Sequence, residues 1–529
     1  MLRYFILSLI HLTLLSVMLA SGFLGETQIG SQVSLAASGL DDTAFEALRG
    51  KLASTRRRVR RSALAPLAAM DRLRAWELLV EALDDPSGEV ADGAQLLLGQ
   101  LDSEQELELI LGKQGLRSKS IWVRKRVSEL LGRVRAEVPA GALLRGLKDR
   151  DREVRRMAAW SIERLCARGS WAELENPRAL RDLGSKLKAR VTSDRDERVR
   201  ARALCALARL DSKAARGLHD AFLRSKSLGL RCVALKLAAL LLDEEQALEL
   251  LGEGALGKER LLRGQAQESL ALWGTKASLG ALIECLPGEQ DERLRFVLLQ
   301  NLRRISGAKH RADVRPWRAW HAGLAGDWKA PDSMKSGRGK RASRREADAS
   351  SSSFSGLQLR SKHLTFLIDL SGSMWTPGAD GSTPKQLVHD KLARALEGMP
   401  GDVRFNLIPF TGRPHPWKDS LMPASKRNKR RALDFFGACS QRGSGNFWAA
   451  AMLALEDPDV DTLVLLGDGA PSGGERHELE LIVSHFVEQN LTRRVAMDSI
   501  LVDASRHLEG YWRRLATATG GESISVVFP

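Results

Sequence analysis

Between residues 41 and 325 the apolar positions recur at helical spacing, and from residue 361 they gather into short runs of strand length. Ala214–Phe222 is one amphipathic stretch. After a break at Lys226-Ser227, Leu230, Val233, Ala234, Leu235, Leu237 and Ala238 keep an i, i+3, i+4, i+7 stripe. Such pairs predict helix-turn-helix units throughout the first part of the chain. Further on, Leu364–Leu370, Val403–Phe410, Thr462–Leu466, Val495–Val502 and Ser523–Phe528 read as strands. Helical stretches at 385–396, 426–437, 447–455, 476–489 and 508–518 lie between them. Strands alternating with helices predict a doubly wound, mainly parallel α/β sheet, whose ligands sit at the carboxyl ends of the strands. The fold class is therefore multidomain, an all-α array followed by an α/β domain.

The helical part repeats. An apolar-Arg pair stands at Val59-Arg60, Val123-Arg124, Val154-Arg155, Val199-Arg200, Leu230-Arg231, Leu262-Arg263 and Leu294-Arg295, with Val90-Ala91 filling the first gap. Successive spacings are about 31–33 residues, apart from an insertion around Trp171–Leu183. Asp151, Asp196 and Asp291 each stand three residues before the pair, where a carboxylate can cap the first turn of the second helix. The arginine of the pair can reach back along the array to neighbouring acids. One helix pair cannot bury its apolar face alone, so stacking into a curved solenoid is required. The pattern resembles short HEAT-like repeats over residues 41–325, and the resemblance implies partner binding along a concave face. The array closes with Leu302-Arg303-Arg304-Ile305-Ser306-Gly307 and a W-x-x-W pair, Trp317 and Trp320, expected to cover its last open apolar surface.

Two segments flank these domains. Residues 1–36 open with Arg3 and an apolar run, Tyr4–Ala20, broken by small residues, which is the pattern of a secretory signal; uncut it is long enough for a membrane anchor, and a buried core helix is the third reading. Residues 326–360 contain a basic run and a Ser run with almost no apolar residues, and read as a flexible linker.

The candidate chemistry lies at the end of the first predicted strand, in Asp369-Leu370-Ser371-Gly372-Ser373-Met374. A carboxylate and two hydroxyls at alternate positions on a strand-to-loop turn converge on one point and offer hard oxygen ligands to Mg²⁺, or to Mn²⁺ or Ca²⁺. This D-x-S-x-S resembles the metal-ion-dependent adhesion site of von Willebrand factor type A domains. Phe405–Thr411 matches that family's second strand, and Leu466-Gly467-Asp468-Gly469 matches its late L-x-D-G element, whose aspartate completes the site through water. The resemblance covers residues 361–529. It implies a metal held by Asp369, Ser371, Ser373 and Asp468, whose last ligand is a carboxylate on a protein partner. The chain departs from the family's G-x-T-[ND] loop at Gly443-Ser444-Gly445-Asn446: Gly445 stands where the threonine belongs, so Ser444 or water must take its place, and affinity should fall. The competing reading is a structural remnant, in which Asp369 and the serines cap the following helix.

Charge and composition narrow the function. The chain carries a net charge of +16, and residues 361–529 are close to neutral, so the excess belongs to the N-terminal part. Arg56–Arg61 and Ser425–Arg431 fit solvated faces and ion pairs, with an anionic-partner surface as the functional alternative. The five cysteines are far apart with no C-x-x-C pair, which reads as free buried thiols. No G-x-S-x-G, P-loop, G-x-G-x-x-G after a strand or H-E-x-x-H is present, so no catalytic residue is assigned and no enzyme is expected. The expectation is an exported, non-catalytic binding protein, periplasmic, extracellular or anchored in the cell envelope by its N-terminal segment, that offers solenoid and metal site as two contacts on a linker. A cell-envelope assembly or maturation factor is the alternative, and nucleic-acid or anionic-polymer binding by the basic solenoid a third.

Overall fold

A computed structural model describes residues 42–70, 73–169, 171, 176–331, 353–354, 356–378 and 380–527. The signal or anchor expected in residues 1–36 lies outside them, as does residue range 332–352 of the expected linker. The chain divides into two compact units, Met1–Leu78 and Leu79–Pro529. In the first, α1 (Arg57–Ala68) buries Ala63, Leu64 and Leu67, and Arg60 donates to the Ser54 and Thr55 carbonyls at its start.

The second unit begins with stacked helices: α2 (Gly88–Leu98), α3 (Glu104–Leu111), α4 (Ile121–Leu130), α5 (Ala140–Leu147), α6 (Arg152–Ala167), α7 (Pro177–Ser193), α8 (Glu197–Leu210), α9 (Ser212–Leu223), α10 (Leu228–Leu241), α11 (Glu244–Leu256), α12 (Arg260–Trp273), α13 (Lys276–Glu284), α14 (Glu292–Ser306) and α15 (Val314–Ala322). This is a HEAT-like solenoid. The even-numbered helices from α2 to α14 carry the repeated pair, and its apolar member is buried in every one. Asp151, Asp196 and Asp291 cap α6, α8 and α14 through their carboxylates, as the sequence predicts.

Three of the paired arginines reach forward to acids, a correction to the expected direction. Arg124 bonds Asp149 at 2.8 Å, Arg155 bonds Asp194 at 2.8 Å and Arg263 bonds Glu289 at 3.2 Å, each acid lying in the turn before the next even-numbered helix. Each arginine also donates to carbonyls in its own turn, such as Ser118 and Lys119 for Arg124. One guanidinium therefore ties two successive turns together. In these three the side chain leans toward the N-terminal end of its own helix, whereas Arg200 Nε donates back to Val191 O at 3.0 Å. The insertion supplies the long α7 and seats Trp171, whose ring nitrogen donates to Val138 O at 2.7 Å. At the far end Trp317 is fully buried against His310 and Trp320, and Trp328 stacks edge-on to Trp320. Residues 326–331, placed in the expected linker, return to this cap: Ala330 is buried and its N–H donates to Gly274 O at 2.7 Å.

The C-terminal part has the doubly wound α/β fold expected of a type A domain. A short hairpin, β1 (Ser353–Phe354) and β2 (Leu357–Gln358), precedes β3 (His363–Asp369), α16 (Pro384–Gly398), β4 (Arg404–Phe410), β5 (Met422–Pro423), α17 (Lys426–Ala438), α18 (Phe447–Ala454), β6 (Thr462–Gly467), α19 (Leu479–Gln489), β7 (Ala496–Val502), α20 (Arg506–Thr519) and β8 (Ser523–Val526). The sheet order is β5-β4-β3-β6-β7-β8, parallel except for the edge strand β5. Alternate residues of β3 serve opposite faces: Phe366 and Ile368 pack with Leu392 and Phe436, and Leu367 packs with Phe486 and Trp512. Each fully buried side chain of this size contributes about 1.5–3 kcal/mol, which drives the two-sided wrapping.

The solenoid and the type A domain do not act as separate bodies on a tether. The even-numbered helices face α19 and β7 across a polar, buried seam. Glu129 of α4 meets His485 at 2.7 Å, Arg156 of α6 and Arg202 of α8 meet Glu488, Gln265 of α12 meets Arg494 at 2.8 Å, and Arg293 of α14 meets Asp498. The two-contact arrangement expected from sequence is corrected accordingly, because this helix face is occupied from within the chain. Among the described residues no helix is long and apolar enough to cross a membrane.

Candidate functional site

The site is built where β3 and β6 end side by side. Asp369 closes β3 opposite Phe410 of β4, and Leu370 donates to Phe410 O at 2.9 Å, which fixes where the strand stops. Gly467, the last residue of β6, lies so close that a Cβ there would stand 2.5 Å from Asp369 Cβ. Only glycine permits that approach. Ser371 N–H donates to Asp369 Oδ1 at 2.7 Å, turning the chain back over the carboxylate, and Gly372 N–H donates to Gly443 O at 3.2 Å.

The four predicted oxygen residues form one chain of contacts. Ser371 Oγ and Ser373 Oγ are 3.2 Å apart, and Ser373 Oγ donates to Asp468 Oδ2 at 2.5 Å. Asp369 and Ser371 are buried, whereas Gly372 and Ser373 are exposed, so the cluster opens to solvent on one side. Burial first, and then the facing Asp468 carboxylate, push the Asp369 carboxyl up to about 7. Two carboxylates and two hydroxyls are the kind of hard-oxygen donors that a divalent cation takes. Among the described residues no group of three or more His, Cys, Asp or Glu side chains is placed to hold a metal ion, and the oxygen set here is half serine.

Gly445 faces the cluster, and a Cβ there would meet Asp369 Oδ2 at 3.2 Å and Ser371 Cβ at 3.5 Å. Ser444 instead lies against glycine backbone, its Oγ 2.4 Å from a Cβ built on Gly473 and 3.4 Å from one on Gly412. Position 445, not 444, is the one beside Asp369.

Three features of the site have no motif. Ser472 Oγ accepts from Gly445 N–H at 2.7 Å and Ser472 N–H donates to Gly445 O at 3.0 Å, so the loop after Asp468 clasps the glycine loop. Gly474, at φ +95°, sits on Asn446, where any side chain would collide with the amide. At the mouth, exposed Arg442 lies over the Trp375 ring at 4.5 Å. The run Pro471-Ser472-Gly473-Gly474 after L-x-D-G was the available signal, a turn-rich stretch too long for a simple strand-to-helix connection.

The chain matches no protein-family model. It is 31% identical over 131 residues to inter alpha-trypsin inhibitor, heavy chain 4, of Mus musculus, covering 22% of this chain and 13% of that one. Through such heavy chains the domain has von Willebrand factor type A homology. The chain spans only about an eighth of the length of the curated relatives it matches. Among solved structures it is similar to the SpRpn10 VWA domain, at 16% identity and TM-score 0.26, covering 31% of this chain and 87% of that one. It is also similar to Kap121p bound to Pho4p, at 15% identity and TM-score 0.37, covering 54% of this chain and 35% of that one.

Proposed function

We propose that this chain is an exported, non-catalytic protein-binding protein, whose type A domain docks a carboxylate of a protein partner through a divalent cation held by Asp369, Ser371, Ser373 and Asp468. The observation that carries the reading is the contact chain from Asp369 through both serines to Asp468 at the solvent-facing end of a parallel sheet. A cation there supplies an electrophilic centre with room for one more oxygen ligand. The protein's own part is to hold four oxygens at one point and to present them beside Arg442, which favours an acidic partner segment. Homology to type A domains supports protein binding, and the apolar segment after Arg3 supports export. The buried seam gives the solenoid the role of a cradle for the type A domain. Free anionic-groove binding along the same helix face is disfavoured, since its arginines Arg156, Arg202 and Arg293 already meet carboxylates.

Calorimetric titration of Mg²⁺ and Mn²⁺ into the whole chain tests the reading. It expects about one ion per chain and loss of the heat in Asp369→Asn. Binding that survives that substitution, or no binding at all, overturns it.

A further inference from the structure

The loop that carries Asp468 ends in the solenoid. Beyond Ser472, Gly474 O accepts from Gly88 N–H at 3.1 Å, at the first turn of α2. Glu475 pairs with Lys125 Nζ at 2.9 Å, and its carbonyl accepts from Arg126 at 3.1 Å. Arg476 then enters fully buried ground and meets Asp92 at 3.1 Å, while the Asp92 carboxylate also accepts the His477 N–H at 2.7 Å and the Glu478 N–H at 3.2 Å. Glu478 gives α19 no side-chain cap of its own, so Asp92 supplies from the solenoid the acceptor that this helix start needs. The near end of the same loop clasps Gly445, which touches Asp369.

We propose that the solenoid sets the cation affinity of the type A domain, by fixing at α2 and α4 the far end of the loop that positions Asp468 and the Gly445 backbone. The inference rests on the metal reading above and adds to it positioning residues outside the type A domain. Gly88, Lys125 and Arg126 touch no oxygen of the site. Their effect runs through a loop whose other end does. Partners bonded directly to metal ligands typically carry about 10–100-fold in metal affinity, and the lower end of that range is expected for anchors one step removed.

Gly88→Ala is the discriminating variant. A Cβ at residue 88 would stand 2.5 Å from Gly474 O and 2.6 Å from Glu475 C, backbone atoms that must move. Gly229→Ala is the matching wedge elsewhere in the seam, its Cβ 2.7 Å from Thr492 Cβ and 3.0 Å from Thr492 O. Mg²⁺ titration and amide exchange are measured on full-length chains of both. The expected result is a loss of about tenfold or more in Mg²⁺ affinity in Gly88→Ala, faster exchange at 469–476 and 443–446, and affinity within about threefold of the parent in Gly229→Ala. Unchanged affinity in Gly88→Ala despite faster exchange at 469–476 overturns the inference, and so does an equal loss in both variants, which would mark general undocking. A parent chain that takes up no Mg²⁺ overturns the metal reading and this inference with it. A parent that binds normally beside an unaffected Gly88→Ala overturns this inference alone.

Discussion

Arg293 on α14 and Asp498 on β7 meet fork to fork, Nη1 to Oδ1 at 3.0 Å and Nη2 to Oδ2, with neither side chain exposed. Asp498 also accepts the Glu522 N–H at 2.8 Å, so its carboxylate is held from both domains. Removing one member of such a pair strands the other in a dry site. Asp498→Ala is expected to destabilise the chain by about 3–5 kcal/mol, and the double change Arg293→Met with Asp498→Leu to recover most of it. Urea denaturation of the three proteins measures this. A loss below about 1 kcal/mol in the single variant would mean the seam is wet.

Acid should weaken the seam through His485. Burial and the Arg476 charge lower its pKa from 6.5 to about 4, against the pull of Glu129, which its Nε2 meets at 2.7 Å; Lys125 adds to the lowering, and the Trp448 ring packs edge-on to the imidazole. Between those two values the unfolded chain binds the extra proton, so stability rises with pH across this window and is lost on acidification from about 6.5 toward 4. The full effect is on the order of 3 kcal/mol. His485→Gln keeps a donor toward Glu129 without titrating, and its denaturation midpoint should fall less between pH 7 and pH 5 than the parent's. Equal falls would assign the acid sensitivity to other groups.

Position 445 offers a gain-of-function test. Gly445→Thr adds a hydroxyl beside Asp369, but its Cβ meets Asp369 Oδ2 at 3.2 Å, so the neighbours must give by a few tenths of an ångström. The expected outcome is tighter Mg²⁺ binding together with a cation-free chain less stable by about 1–3 kcal/mol. Titration and thermal melts with and without Mg²⁺ read the two effects separately. A threonine that weakens cation binding would show that the glycine is needed for the backbone path of the loop.

The seam should hold without a covalent connection. Residues 42–331 and 353–529, co-expressed as two chains, are expected to elute together in size-exclusion chromatography and to stay together in about 1 M salt, because buried pairs such as Arg202–Glu488 are poorly screened. Separate elution at low salt would refute this.

Much of the fold was legible because it is periodic. Val199, Leu230, Leu262 and Leu294 repeat at near-constant spacing and are buried, and Asp369, Ser371 and Ser373 follow a strand whose apolar run announces it. The occupant of the even-numbered helix face was not legible. Arg156 and Arg202 look in sequence like any other arginines of the array, while their shared acid, Glu488, lies 286 residues beyond Arg202 in a helix with its own amphipathic pattern. Periodicity says which face a residue occupies and nothing about what lies across from it. The clasp by Ser472 was hidden for a related reason, since a serine in a Gly-rich turn reads as turn chemistry until the backbone it bonds is known.

The shared burial of Arg156, Arg202 and Arg293 on one side, and of Arg476 on the other, has a consequence for how this protein can vary. Solenoids and type A domains look like parts that could be shuffled freely between chains. Here a transplanted type A domain lacking Glu488 and Asp498 would strand Arg293 and leave Arg156 and Arg202 with Glu153 and Glu163 alone, and a transplanted solenoid lacking Asp92, Gln95 and Glu129 would strand Arg476. The two halves fit each other as a matched set.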